Sequence, residues 1–223
     1  MEENIQTEDK APVQIRNTKE ILTEVVTVRN AKEYLGESLL IIFSVVLALL
    51  LTELFNKIHE NSRASEILQQ LREELVNNKN AEQIQYHYCQ GVLKRIDSAL
   101  THPAFARQFI DSGVINLKAI APYGVSTRDL SDVAWQVAKQ NNIISRLDQN
   151  TYTLLADIYE QQRRSTKLEE EVAKILLSWE SRNPENLRTT LILTGDNYHG
   201  WAVDRAPALL VKYQQAIDKL SHF

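Results

Sequence analysis

The sequence predicts an all-α protein, with a single N-terminal transmembrane helix followed by a helical-bundle domain with long antiparallel helices. An uncharged apolar run lies near the N-terminus, apolar residues recur at helical spacing through the remainder, and only six Gly and five Pro interrupt 223 residues. With 43% hydrophobic and 24% charged residues, the composition excludes collagen-like, linker-like and wholly disordered chains. One Cys excludes an internal disulfide and leaves the redox compartment open.

Residues 1–17 are polar, carry Pro12 and show no periodicity, which predicts a mobile polar tail. Residues 18–33 form a juxtamembrane segment. Its apolar positions Ile21, Leu22, Val25, Val26 and Val28 fit an amphipathic helix or a short strand, because β-branched residues cluster there; a helix near the membrane surface is favoured. Residues 1–33 hold five basic and seven acidic side chains, so net charge does not draw this region to anionic lipid.

From Leu39 to Leu51 every residue is apolar except Ser44, and no charge falls between Glu37 and Glu53. A helix with no polar face belongs in lipid or in a large core. The uncharged stretch from Ser38 to Thr52 rises only about 22 Å, against about 30 Å of hydrocarbon. A helix over 34–55 reaches about 33 Å and places Tyr34, Glu37, Glu53 and Lys57 at headgroup depth. That is the predicted transmembrane helix. The alternative is a soluble helical protein with Leu39–Leu51 as a core helix, but the remaining chain has amphipathic faces of its own with which to build a core. The run begins almost forty residues in, without a basic flank or a small-residue cleavage site, so it reads as an uncleaved anchor. Its nearest basic neighbours are Arg29 and Lys32 before it and Lys57 and Arg63 after it, a balance that leaves the orientation open.

Residues 56–223 are expected to form an α-helical domain. Ala64, Leu68, Leu71 and Leu75, at 4-3-4 spacing, make one apolar stripe and a short coiled-coil-like seam. The polar run Asn77–Asn80 is expected to interrupt the helix. A second stripe at Cys89, Val92, Leu93, Ile96 and Leu100 leads to a stop at His102 and Pro103. Gly113, Pro122 and Gly124 break the stretch from Ala104 to Tyr123 into a short helix and loops. A helix over Asp132–Asn141 follows, capped by a hydroxyl or carboxylate from Ser126–Ser131, then a loop over Asn141–Asp148. No Gly or Pro lies between Asp148 and Asn183, which predicts one long helix ended by Asn183 and Pro184. Leu187–Leu193 and Ala206–Leu220 supply the last helices, around turns at Gly195 and Gly200, with Pro207 in a first helical turn.

Little in the chain points to chemistry. His87 and Cys89 face opposite sides of a helix, and His59-Glu60 lacks the second His of a zinc-protease helix, so no metal site is expected. No glycine spacing forms a phosphate cradle or dinucleotide turn, and no Ser sits in a Gly-x-Ser-x-Gly elbow; no cofactor or catalytic residue is assigned. From residue 56 onward, 20 basic residues balance 20 acidic ones, which argues against nucleic acid as a partner. Arg163-Arg164 is too small a patch to alter that, and Asp204-Arg205 reads as a surface pair. The most function-like stretch is Thr194–Trp201, where Asp196, Tyr198, His199 and Trp201 form a candidate ligand loop between or beside two glycines. The competing reading is a helix end and turn, with Gly supplying positive φ.

The Gly36-Glu37 that opens the span, with Leu71, Glu73, Glu74 and Leu75 before Asn77-Asn78, resembles an uncharacterised family of bacterial single-pass membrane proteins. Asp132, Ala134, Trp135, Ala138, Ile144, Leu147, Asp148, Leu155, Ile158, Tyr159 and Gln161 are similar to that family's Trp-to-Tyr-x-Gln segment. The resemblance implies a bacterial inner-membrane anchor with a periplasmic α-helical domain, and it implies no activity. The acidic N-terminal tail departs from the short basic tail usual in that family. Apolar stripes without a catalytic constellation lead instead to the expectation of a non-enzymatic interaction or scaffold protein of the bacterial envelope, whose partners are the lipid bilayer and a second copy or another protein docked on its helical faces. A ligand sensor or enzyme using the Asp196–Trp201 loop is the alternative from another class.

Overall fold

The computed structural model describes residues 31–126 and 128–221. The expected tail over residues 1–17, and the juxtamembrane segment up to Asn30, lie outside the described residues. The all-α expectation holds. Helix α1 runs from Ala31 to Thr101 over 71 residues, and the described chain divides after Phe55 into two units.

The first unit, as far as it is described, is the apolar part of α1. Its side chains are exposed from Tyr34 to Phe55, and an 18-residue apolar window there, long and apolar enough to cross a membrane, has no residue buried within the protein. The two hydroxyls of this stretch are satisfied internally: Ser44 Oγ donates to the Leu40 carbonyl and Thr52 Oγ1 to that of Ala48, both at 2.8 Å.

The second unit begins at Asn56. After α1 come α2 (Pro103–Ala106), strands β1 (Ile110–Asp111) and β2 (Val114–Ile115), α3 (Leu117–Ile120) and α4 (Val133–Gln140). Then follow α5 (Gln149–Leu176), α6 (Trp179–Arg182), α7 (Leu187–Asn197) and α8 (Ala206–Leu220). Lys212 pairs with Asp157 at 2.7 Å, and Lys219 acts on Asp148 at the other end, so α5 and α8 form the antiparallel pair. Against α1, α5 runs parallel: Glu74 bonds Tyr159, and further along both helices Glu82 is joined to Glu169 through Arg128.

Two apolar clusters build the core. One gathers Leu71 and Leu75 of α1, Trp135 of α4, Leu155 and Ile158 of α5 and Tyr213 of α8. In it the indole of Trp135 stacks on Tyr159, with centroids 5.2 Å apart and planes 3° from parallel. The other gathers Cys89, Val92 and Ile96 of α1 with Phe109, Ile115, Ile120, Leu191 and Tyr198. The Ala64-to-Leu75 seam is thus filled by the chain's own helices; α4, α5 and α8 occupy the place a coiled-coil strand would take.

Several local expectations are corrected. Asn77–Asn80 does not interrupt α1, because Asn78 is buried and hydrogen-bonded to the backbone of Ser131. The single helix from Asp148 to Asn183 is two. Asp148 caps α5 by accepting from the Asn150 and Thr151 amides, but α5 ends at Leu176, and Ser178 caps α6 through the Ser181 amide at 3.2 Å. The segment after Gln140 contains a 3₁₀ turn over Ile143–Arg146. Between α2 and α3 stands a small antiparallel hairpin whose turn residues Ser112 and Gly113 both have positive φ, 50° and 78°, the conformation that tight two-residue hairpins need. Neither Gly195 nor Gly200 supplies a positive-φ turn: α7 continues through Gly195, and a wide π-type turn covers Tyr198–Val203. Gly195 is where α7 crosses α1, since a Cβ there would lie 3.4 Å from the Ile96 methyl.

Candidate functional site

The second unit concentrates its buried polar chemistry in a ladder along α1, between the two apolar clusters. Core positions of α1 keep a strict 4-3 alternation: Ala64, Leu68, Leu71, Leu75, Asn78, Glu82, Gln85, Cys89, Val92, Ile96 and Ala99 are all buried. Three of these, Asn78, Glu82 and Gln85, are polar, and with buried Glu74 they face the irregular segment 125–132 and the first turn of α4. Each holds one point of it. Gln85 Nε2 donates to the Val125 carbonyl at 3.0 Å, and Glu82 pairs with Arg128 at 3.0 Å. The Asn78 carboxamide donates to the Ser131 carbonyl at 2.7 Å and accepts from its amide at 3.0 Å. Glu74 accepts from the Ser131 hydroxyl at 2.6 Å and from the Ala134 amide at 2.9 Å.

Glu74 thereby caps α4. Asp132, the residue at the α4 N-cap, makes no side-chain cap bond, and the Ser131 hydroxyl accepts only a 3.3 Å bond from the Val133 amide. The Glu74 carboxylate, reaching from 60 residues earlier, accepts from the Ala134 amide at 2.9 Å and that of Trp135 at 3.4 Å. A carboxylate at a helix N-terminus meets unpaired amides and the positive end of the helix dipole.

Arg128 is the centre of the ladder. Its guanidinium, 2% exposed, lies between the carboxylates of Glu82 at 3.0 Å and Glu169 at 2.6 Å, so two buried acids share one buried base. Burial pushes both carboxyls above the ordinary carboxylate range, and the Arg128 charge pulls them partly back. Cys89 is buried beside this group, receives a 3.3 Å contact from Gln85 Nε2, and has its thiol pushed up to about 12 by desolvation. At that value it is neutral and unreactive near pH 7.

The structure separates the four residues of the candidate ligand loop. Asp196 and His199 are exposed, whereas Tyr198 and Trp201 are buried in the second apolar cluster. The Tyr198 hydroxyl donates toward the Gly124 and Val125 carbonyls at 3.3 Å each, tying this turn to the same segment the ladder holds. Trp201 lines a cleft of about 330 Å³ with Arg164, Arg205 and Leu168, a cleft to which neither Asp196 nor His199 contributes. Among the described residues no group of three or more His, Cys, Asp or Glu side chains is placed to hold a metal ion. The ladder escapes a sequence reading that looks only for apolar periodicity, yet the unbroken 4-3 register through Asn78, Glu82 and Gln85 was its signal.

Comparison with protein families, with curated proteins and with solved structures finds no match to this chain.

Proposed function

We propose that this is a membrane-anchored helical protein of the bacterial envelope that works by interaction, as a scaffold, rather than by catalysis. The observation that carries the reading is the apolar window of α1, 18 residues long and wholly unburied. Leu39, Leu40, Ile42 and Phe43, each more than 60% exposed, would cost free energy in water and none in hydrocarbon, and Ser44 and Thr52 have already satisfied their hydroxyls on the helix backbone. The resemblance of the span and of the Trp135-to-Gln161 segment to bacterial single-pass proteins supports the inner membrane, with the helical domain on the periplasmic side.

For the interaction role, support comes from the end of α5 and the neighbouring α7. Ile175 and Leu193 border one shallow cleft and are each 48% exposed, and Leu177 and Trp179 follow at 70% and 79%. Exposed apolar side chains in such a group mark protein-binding surfaces. The buried polar ladder ties segment 125–132 to α1 and keeps its charged groups away from solvent.

The test joins topology to partner capture. Reporters active in only one compartment, fused at the C-terminus, should report the periplasm from the membrane fraction, and the detergent-solubilised protein should co-purify with a partner or a second copy. Trp179→Ser should weaken that association without changing thermal stability. A soluble protein, or one that stays monomeric and partnerless across several detergents, would count against the proposal.

A further inference from the structure

Next to the anchor in sequence, α1 and the stretch from the end of α4 through the 3₁₀ turn, Asn141 to Arg146, clasp each other through two reciprocal arginine–asparagine bonds. Arg63 Nη2 donates to Asn141 Oδ1 at 2.7 Å, and Arg146 Nη1 donates to Asn61 Oδ1 at 2.8 Å. Between them opens a cleft of about 370 Å³, lined also by Asn142, Ser145 and Glu60. Each guanidinium carries five N–H donors. Arg63 spends one, and its others have no partner among the described residues; Arg146 spends one more on a loose 3.8 Å contact with Glu60, which is itself 70% exposed. Two guanidiniums against one solvated carboxylate leave the cleft positive, with forked donors unspent, and that is the chemistry that recognises a phosphate.

The position in the chain selects the source of the phosphate. Asn61 and Arg63 follow Phe55 by six and eight residues on the same helix, about two turns. With residues 34–55 read as a span, the basic side chains that follow it closely in sequence belong to the headgroup region, where Lys and Arg are favoured. We propose that this cleft binds the headgroup phosphate of an anionic phospholipid and so fixes the domain against the membrane surface. The inference rests on the membrane reading of the preceding section.

The experiment uses the full-length protein in detergent, loaded with phosphatidylglycerol or phosphatidylcholine and released for native mass spectrometry. Phosphatidylglycerol should be retained about tenfold over phosphatidylcholine, and the pair Arg63→Gln with Arg146→Gln should abolish that preference at an unchanged thermal midpoint. Should the pair unfold, the single variants are read the same way, each expected to lose part of the preference. Equal retention of the two lipids by the wild type, or an intact preference in the variants, overturns the proposal. Displacement of phosphatidylglycerol by millimolar inorganic phosphate overturns it as well, in favour of a soluble phosphate ligand. Failure of the membrane reading is distinguishable, since it shows as intact protein recovered soluble without detergent.

Discussion

The Glu74 carboxylate accepts a 2.7 Å hydrogen bond from the Tyr159 hydroxyl, and the same carboxylate caps α4. One side chain on α1 thus fixes α4, α5 and the segment before Ser131 together. Both the amide donors and the phenol are buried, so removing the acceptor strands them away from water. Glu74→Ala should cost about 2–4 kcal/mol, whereas Tyr159→Phe, which removes one donor and leaves the cap intact, should cost about 1 kcal/mol. Chemical denaturation of the full-length protein in detergent measures both; equal losses would mean that the cap contributes nothing beyond the tyrosine bond.

Arg128 sets the pH dependence. Because burial raises the carboxyls of Glu82 and Glu169, the folded protein holds a proton at pH values where the unfolded chain has released it. Their contribution to stability is therefore greatest below the ordinary carboxylate range and falls as pH rises through the raised values. Asp148, Asp157 and Glu160 pull the other way. Hydrogen bonds from Thr151, from Lys212, and from Arg163 and Arg164 lower their values, to about 2 for Glu160, so what they contribute is lost as pH falls. Asp148 is exposed and the side chains of Asp157 and Glu160 are more than a third exposed, so solvent screening makes their share small. Stability should peak at mildly acidic pH. Glu82→Gln should raise the thermal midpoint at pH 8 and change it little at pH 5, while Arg128→Met, which leaves two buried acids unpaired, should cost about 3–5 kcal/mol near neutral pH. A Glu82→Gln protein less stable than wild type at pH 8 would show that the pair attraction outweighs the excess charge.

Cys89 gives a direct probe of the same region. Buried completely, with its thiol pushed up to about 12, it should resist maleimide or disulfide reagents in the folded protein and react fully once denaturant is added. Labelling of the folded protein at the denatured rate would mean that segment 125–135 opens readily from α1.

How much of this was legible in the sequence follows from what periodicity records. Apolar residues at 4-3 spacing marked α1, and the same rule placed Cys89, Val92 and Ile96 correctly in the core. It fails at Asn77–Asn80, because the helix register continues through polar Asn78, whose partner is an irregular segment instead of another helix. Helix ends inside α5–α6 were missed for a related reason. Ser178 stops and restarts the helix by capping, a local hydrogen bond that carries no Gly or Pro signature. The Asp196–Trp201 stretch looked functional because polar and aromatic residues are neighbours in sequence, but on a helical backbone neighbours diverge, and Tyr198 and Trp201 went to the core while Asp196 and His199 went to solvent. Arg128 carried no local signal: its two acids lie 46 residues before it and 41 after it.

The apolar window of α1 makes opposite demands of a membrane anchor and of a core helix, and two charges separate them. Each Arg placed at the centre of a transmembrane helix costs about 2.5–3.5 kcal/mol of insertion free energy. Ile42→Arg with Leu47→Arg should therefore move the full-length protein out of the alkali-resistant membrane fraction. Since no residue of that window is buried within the protein, the same pair should leave the near-ultraviolet circular dichroism of Trp135 and its neighbours unchanged. A core helix would respond in the reverse sense: the protein would lose its tertiary signal, and no membrane fraction would have held it at the start. Ile84→Arg, at an exposed apolar site in the second unit, should do neither and serves as the control for charge alone.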